Sequence, residues 1–125
     1  VFTISAFASG TSRIQNWSVP NTISDQARIR ITRGTATDES DANFTIIRVP
    51  QNVTVNWICP DSIYVTWNSV NGATEYEASM LGNIYMDSMT TTNNLTALII
   101  NPNPAINDSW FSVCAKINGK KGRRA

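Results

Sequence analysis

The last ten positions of this 125-residue chain carry half of its positive charge. Lys116, Lys120, Lys121, Arg123 and Arg124 are five of the ten basic residues, and all three lysines are among them. Such a run suits anions: the phosphates of a nucleic acid, or an anionic glycan or lipopolysaccharide. The same stretch contains Asn118-Gly119, two residues that tolerate positive φ and so mark a tight β-hairpin. Phe111, Val113 and Ala115 alternate ahead of it as one inward strand face. A nucleic-acid surface needs a basic stripe and stacking aromatics on one face. Here the charges crowd one loop, and the preceding strand supplies a single outward Trp110. The hairpin is the preferred reading, with its charges at or beside the tip, and no nucleic-acid partner is expected. Trp110, Lys120 and Lys121 are the candidate ligand contacts.

Other chemistry finds little to stand on. There is no histidine, which removes a Ser/His/Asp triad, a Cys/His dyad and any imidazole metal site. Cys59 and Cys114 are too few for a thiolate zinc site, and no phosphate-binding glycine motif is present. The nine Asp and Glu are scattered. Asp38-Glu39-Ser40-Asp41 offers clustered oxygens that calcium would want, but it lacks the spacing of a calcium loop; the preferred reading is an Asx-rich turn between two strands, and no metal site is expected. No catalytic residues and no cofactor are expected. No apolar run reaches the length of about 18 residues that a membrane span needs.

The elements that must position these residues are strands. Period-two alternation dominates, and no stretch holds a helical period. Ala27-Arg28-Ile29-Arg30-Ile31 reads as one half-buried strand, with Ala27, Ile29 and Ile31 inward. Residues 43–47, 52–57 and 62–67 read as strands too. Turn signals lie between them, at Val19-Pro20-Asn21, Cys59-Pro60-Asp61 and Asn71-Gly72 among others. Arg48-Val49-Pro50-Gln51 is the best boundary, because Pro50 removes a ladder donor and stiffens the chain. The expected architecture is all-β: two antiparallel β-sandwich modules in series, with residues 1–48 as the later part of one, 49–51 as a linker and 52–125 as the second. The chain starts without Met and without a signal peptide, as an excised or processed piece would. Charged residues are only 15% of the chain and the net charge is +1. The surface must then be Ser, Thr and Asn, which suits a protein outside the cell.

Residues 51–125 resemble a fibronectin type III module. Val65-Thr66-Trp67 matches its second strand with the core Trp, and Ala73-Thr74-Glu75-Tyr76-Glu77 its third strand with an inward Tyr. Ile100-Asn101-Pro102 matches the corner before the sixth strand, and Phe111-Ser112-Val113-Cys114-Ala115 that strand itself. The resemblance implies a core of Trp67 with Tyr76, Val65, Leu98, Phe111 and Val113. The tyrosine-corner position is Ser109 here, leaving Ile106 or Trp110 to fill that volume. A Cys59–Cys114 disulfide stays open: an exported compartment permits it. Strand parity and the placement of Cys59, in a loop leading into the opposite sheet, argue against it.

More particularly, Asn16-Trp17-Ser18-Val19-Pro20-Asn21, Gln26-Ala27-Arg28-Ile29-Arg30-Ile31 and Ser40-Asp41-Ala42-Asn43-Phe44-Thr45-Ile46 resemble part of an immunoglobulin-like repeat. Such repeats precede type III modules in large secreted Bacteroidota surface proteins exported by type 9 secretion. That likeness implies O-glycosylation at an Asp-Ser-apolar signal: Ser88 in Asp87-Ser88-Met89, expected in a loop, and Ser62 in Asp61-Ser62-Ile63. It implies a non-catalytic structural and adhesive segment at the extracellular bacterial surface. Its partners would be neighbouring modules of the same polypeptide, surface glycans or other cell-surface proteins. An accessory module of a secreted peptidase is one alternative. A carbohydrate-binding module stacking sugars on Trp17, Trp110, Tyr64 or Tyr85 is another.

Overall fold

The computed structural model describes residues 3, 4, 9–82, 84–101 and 110–125. Among the described residues eleven strands run in chain order: β1 (Ser24–Ala27), β2 (Arg30–Arg33), β3 (Ala36–Glu39), β4 (Phe44–Ile46), β5 (Thr54–Cys59), β6 (Ser62–Thr66), β7 (Glu75–Leu81), β8 (Met86–Thr92), β9 (Thr96–Ile100), β10 (Phe111–Ile117) and β11 (Lys120–Arg124). The described residues contain no helix. β1 pairs with β4 and β2 with β3, both antiparallel. The other seven strands form a three-stranded sheet, β5-β6-β9, and a four-stranded sheet, β11-β10-β7-β8. Among the described residues no sheet mixes strands from the two sides of Pro50, and Pro50 itself is fully buried.

The two larger sheets face each other over one core. Ile63, Val65, Trp67, Ala97 and Ile99 come from or flank the first, and Tyr76, Ala78, Met80, Val113 and Ala115 come from the second. Each set obeys period two, since alternate strand residues point to one face. Trp67 and Tyr76 pack ring to ring, centroids 5.5 Å apart, and the Tyr76 hydroxyl accepts a hydrogen bond from Val70 N–H at 2.8 Å. Phe111 packs at the rim. Leu98 corrects an expectation. It is exposed, while Ala97 and Ile99 point inward. The run Ala97-Leu98-Ile99-Ile100 is apolar throughout, so its parity is set by pairing: Val65 opposes Ala97 and Ile63 opposes Ile99. Trp110 is exposed too, so it does not fill the corner volume. Residues 102–109, which hold Ile106 and Ser109, lie outside the described residues.

Residues 27–31 are not one strand. β1 ends at Ala27 and β2 begins at Arg30, because the chain changes partner from β4 to β3. Ile31, expected inward, is 68% exposed. The β2–β3 hairpin is held by its backbone ladder and by Arg30 Nε, which donates to Glu39 Oε1 at 2.6 Å; just outside it Arg28 Nε donates to Asn43 Oδ1 at 2.6 Å. Asp38 and Glu39 belong to β3, paired with Ile31 and Arg30, and the chain bends only at Asp41 and Ala42.

Residues 21–48 lie against one end of the seven-stranded unit. Ile47 packs on the core and touches Gly122, where a Cβ would overlap its Cγ2. Gly122 sits at a register shift in β11, a bulge that bends the edge strand towards β4. Ile23 lies against Gly72 in the same way.

Candidate interaction surfaces

The basic end is the hairpin that its sequence marks. Asn118 and Gly119 have φ of 50° and 78°, the signs a type I′ turn requires, and Ile117 faces Lys120 across it. Lys116, Lys120 and Lys121 lie beside this turn as expected, and each of them has a partner. Lys116 Nζ meets Glu75 Oε1 at 2.9 Å. Lys121 Nζ lies 2.8 Å from Glu77 Oε1 and Oε2. Lys120 Nζ donates to the Asp25 carbonyl at 2.7 Å, and Asn118 Nδ2 to Asp25 Oδ2 at 3.2 Å. The cause is strand order. β7 pairs with β10 so that Lys116 opposes Glu75 and Cys114 opposes Glu77. With Tyr76 inward, both glutamates share the outer face of the sheet with Lys116 and Lys121.

Glu77 is buried on that outer face, under Lys121 and Arg124, whose Nη2 is 3.9 Å away. Beside it lies Cys114, also buried. Burial pushes the Cys114 thiol above its ordinary range, and the Glu77 carboxylate pushes it further, against the pull of Lys121 and Arg124. Cys59 is exposed, and both cysteines are free thiols. Cys59 is the last residue of β5, paired with Ser62, rather than part of a loop. The two thiols lie in different sheets.

Among the described aromatics Trp110 and Tyr85 are the most exposed, at 71% and 73%. Both flank the end of β7: Leu81 N–H donates to Trp110 O at 2.7 Å, and Gly82 N–H to Tyr85 O at 2.6 Å. That end is one β10 length from Asn118-Gly119, roughly 20 Å at the rise of a strand. The aromatics and the basic hairpin therefore occupy opposite ends of the sheet. Trp17 packs edge-on against Phe44, centroids 6.4 Å apart. Tyr64 stacks on Trp57 at 5.5 Å and 11°. Trp57 drew no attention in the sequence, although its place opposite Tyr64 follows once β5 and β6 are paired.

Ser62 is buried in β6, and its hydroxyl donates to Asp61 Oδ1 at 3.0 Å. Ser88 lies in strand β8, its backbone opposite Met80, and not in the loop expected for it. Among the described residues, no three His, Cys, Asp or Glu side chains gather to hold a metal ion. An open cavity of about 370 Å³ is lined by Thr3, Ile4, Asn16, Trp17, Ser18 and Pro20, with no charged group among them.

The chain matches no family model and no curated protein. Among solved structures it is similar to FN3tt mut, an engineered fibronectin type III protein, with a TM-score of 0.52. The match covers 63% of this chain and 89% of that one at 18% identity, a level that speaks to fold alone. The fold is a fibronectin type III-like β-sandwich. Within it the fourth of the seven strands, β8, joins β7 and not the three-stranded sheet, whereas in constant-type immunoglobulin domains the fourth strand joins the sheet of the first two. No helix among the described residues is long and apolar enough to cross a membrane.

Proposed function

We propose that this chain is a non-catalytic structural and adhesive segment of an exported protein at the bacterial cell surface. In this reading residues 1–48 are part of an immunoglobulin-like module, 49–51 a linker, and 52–125 a type III module in series with it. The observation that carries the reading is how the ionisable groups are used. Lys116, Lys121 and Arg30 each pair with a glutamate, so they cement strands and converge on no cleft. The fibronectin type III-like fold is compatible with such a role. The sparse charge and the Ser-, Thr- and Asn-rich surface support an extracellular setting. The likeness to Bacteroidota repeats supports type 9 export, with a glycan on Ser88. Purified protein assayed for peptidase and glycosidase turnover is expected to show none, and activity intrinsic to this chain would overturn the reading. Intact mass of host-derived protein tests the export part, with a sugar at Ser88 expected.

The exposed Trp110 and Tyr85 favour a second reading, carbohydrate binding at the far end of β7. Quenching or shift of Trp110 fluorescence by neutral oligosaccharides, lost in Trp110→Ala, is its expected signature.

A further inference from the structure

The edges of the sandwich are unequally guarded. An unpaired edge offers free backbone donors and acceptors, and proteins blunt such edges with charge, bulges or cover. β11 reads Lys-Lys-Gly-Arg-Arg, carries a bulge and lies beside β4. β8 and β9 lie beside each other where the sheets meet, with Thr90 Oγ1 donating to Leu98 O at 3.3 Å. The β2–β3 hairpin carries Arg30, Arg33, Asp38 and Glu39. β5 differs from all of these. Thr54-Val55-Asn56-Trp57-Ile58-Cys59 holds no charge, and every residue except Val55 is exposed. Ile58 is 74% exposed. A bulge at Asn56 bends the strand, so its straight part is Trp57–Cys59, where the apolar side chains are.

We propose that β5 is a self-association edge, through which two copies of this chain pair antiparallel about a twofold axis near Trp57-Ile58. The product is one six-stranded sheet. The occupant follows from charge. Strand addition needs a partner edge that is unpaired and carries no like charge opposite. A second β5 meets both conditions, whereas the edges of β11, of β8 and β9 and of the β2–β3 hairpin are charged or lie beside another strand. A twofold pairing is also self-complementary, so one short strand serves both sides. The row Trp57–Tyr64–Leu98 lies across the outer face, with Trp57 stacked on Tyr64. Pairing at β5 joins this row to its copy and makes a continuous apolar strip. The straight part is short, so the dimer belongs to the weak, transient class.

Sedimentation equilibrium of the whole chain across a wide concentration range tests this. The expected result is a reversible monomer–dimer equilibrium that Ile58→Lys weakens at least tenfold, by placing like charges opposite across the axis. Leu98→Lys, on the outer face and two strands from the axis, is expected to leave the equilibrium within about twofold. Ile58 and Leu98 are both exposed, so both variants keep the core, and circular dichroism checks that they fold. A strictly monomeric protein at the highest concentrations would overturn the proposal. So would a dimer abolished by Leu98→Lys and indifferent to Ile58→Lys, which would mean face-to-face stacking.

Discussion

Two stretches of this chain carry the same signal and meet different fates. Ala27-Arg28-Ile29-Arg30-Ile31 and Ser62-Ile63-Tyr64-Val65-Thr66-Trp67 both alternate apolar and polar or half-polar residues. In the second, Ile63, Val65 and Trp67 are buried beneath the facing sheet. In the first, Ile29 and Ile31 are exposed and the strand breaks between two partners. Alternation specifies which residues share a face. Burial requires a second layer for that face, and only the seven-stranded unit provides one among the described residues. Where the layer is missing, local ion pairs and a hairpin turn hold the strands, and apolar side chains stay in water.

The comparison breaks most easily at Trp67. Truncating a buried aromatic costs about 3–5 kcal/mol, out of about 5–15 kcal/mol for a whole domain. Trp67→Ala is expected to bring the sandwich close to unfolding, read as a large fall in the urea midpoint by circular dichroism. Its indole N–H is buried with no acceptor, so Trp67→Phe is expected to cost less than Trp67→Ala. A midpoint for Trp67→Ala equivalent to a loss under about 1 kcal/mol would mean that the two-layer core is not where stability resides.

The next largest effect lies where the two regions touch. Gly122 leaves room for Ile47, and a side chain there collides with it. Gly122→Val is expected to cost about 1–3 kcal/mol, as overpacking does, and to expose residues 21–48 to limited proteolysis before the sandwich melts. Unchanged proteolysis would show that Ile47 does not seat on β11.

How far all this was readable from the sequence depends on the range of the interaction. The strand character, the Asn118-Gly119 turn and the inward Trp67 and Tyr76 are local, and they stand as expected. The parity of Leu98 could not be read, because its neighbours on both sides are apolar. The lysine partners were hidden because Lys116 and Lys121 meet glutamates about forty residues earlier in the chain. Only the β7–β10 register brings them together. The exposure of Trp110 was legible from alternation in β10; the stacked Trp57–Tyr64 pair needed the β5–β6 register.

That outer-face network gives a smaller effect. Lys121 is about half exposed, so water screens its attraction to the buried Glu77. Glu77→Gln is expected to cost about 1 kcal/mol, within the range for partly exposed pairs, and less in high salt. The same face governs thiol chemistry. Iodoacetamide is expected to label Cys59 alone in the native protein and both cysteines after denaturation, read by intact mass. The folded Cys114 thiol stays protonated to higher pH than an unfolded one. Its contribution to stability is therefore complete below the ordinary thiol pKa and is lost as pH rises through the raised one. Rapid native labelling of Cys114 would mean that β11 opens readily.

The smallest effect is the one that sharpens the comparison most. Ile31 has the same residue type and the same alternating context as Ile63, yet it is 68% exposed where Ile63 is 4% exposed. Replacing a surface apolar residue away from any cap, turn or network moves stability by roughly 0.5 kcal/mol or less. Ile63→Val removes one buried methylene and is expected to cost about 0.5–1.5 kcal/mol. Ile31→Thr keeps β-branching, and with it strand propensity, so it isolates burial from backbone preference. It is expected to leave the denaturation midpoint unchanged within error while Ile63→Val shifts it measurably. A substantial loss in Ile31→Thr would mean that β2 is covered in solution, and that residues 1–48 possess the second layer after all.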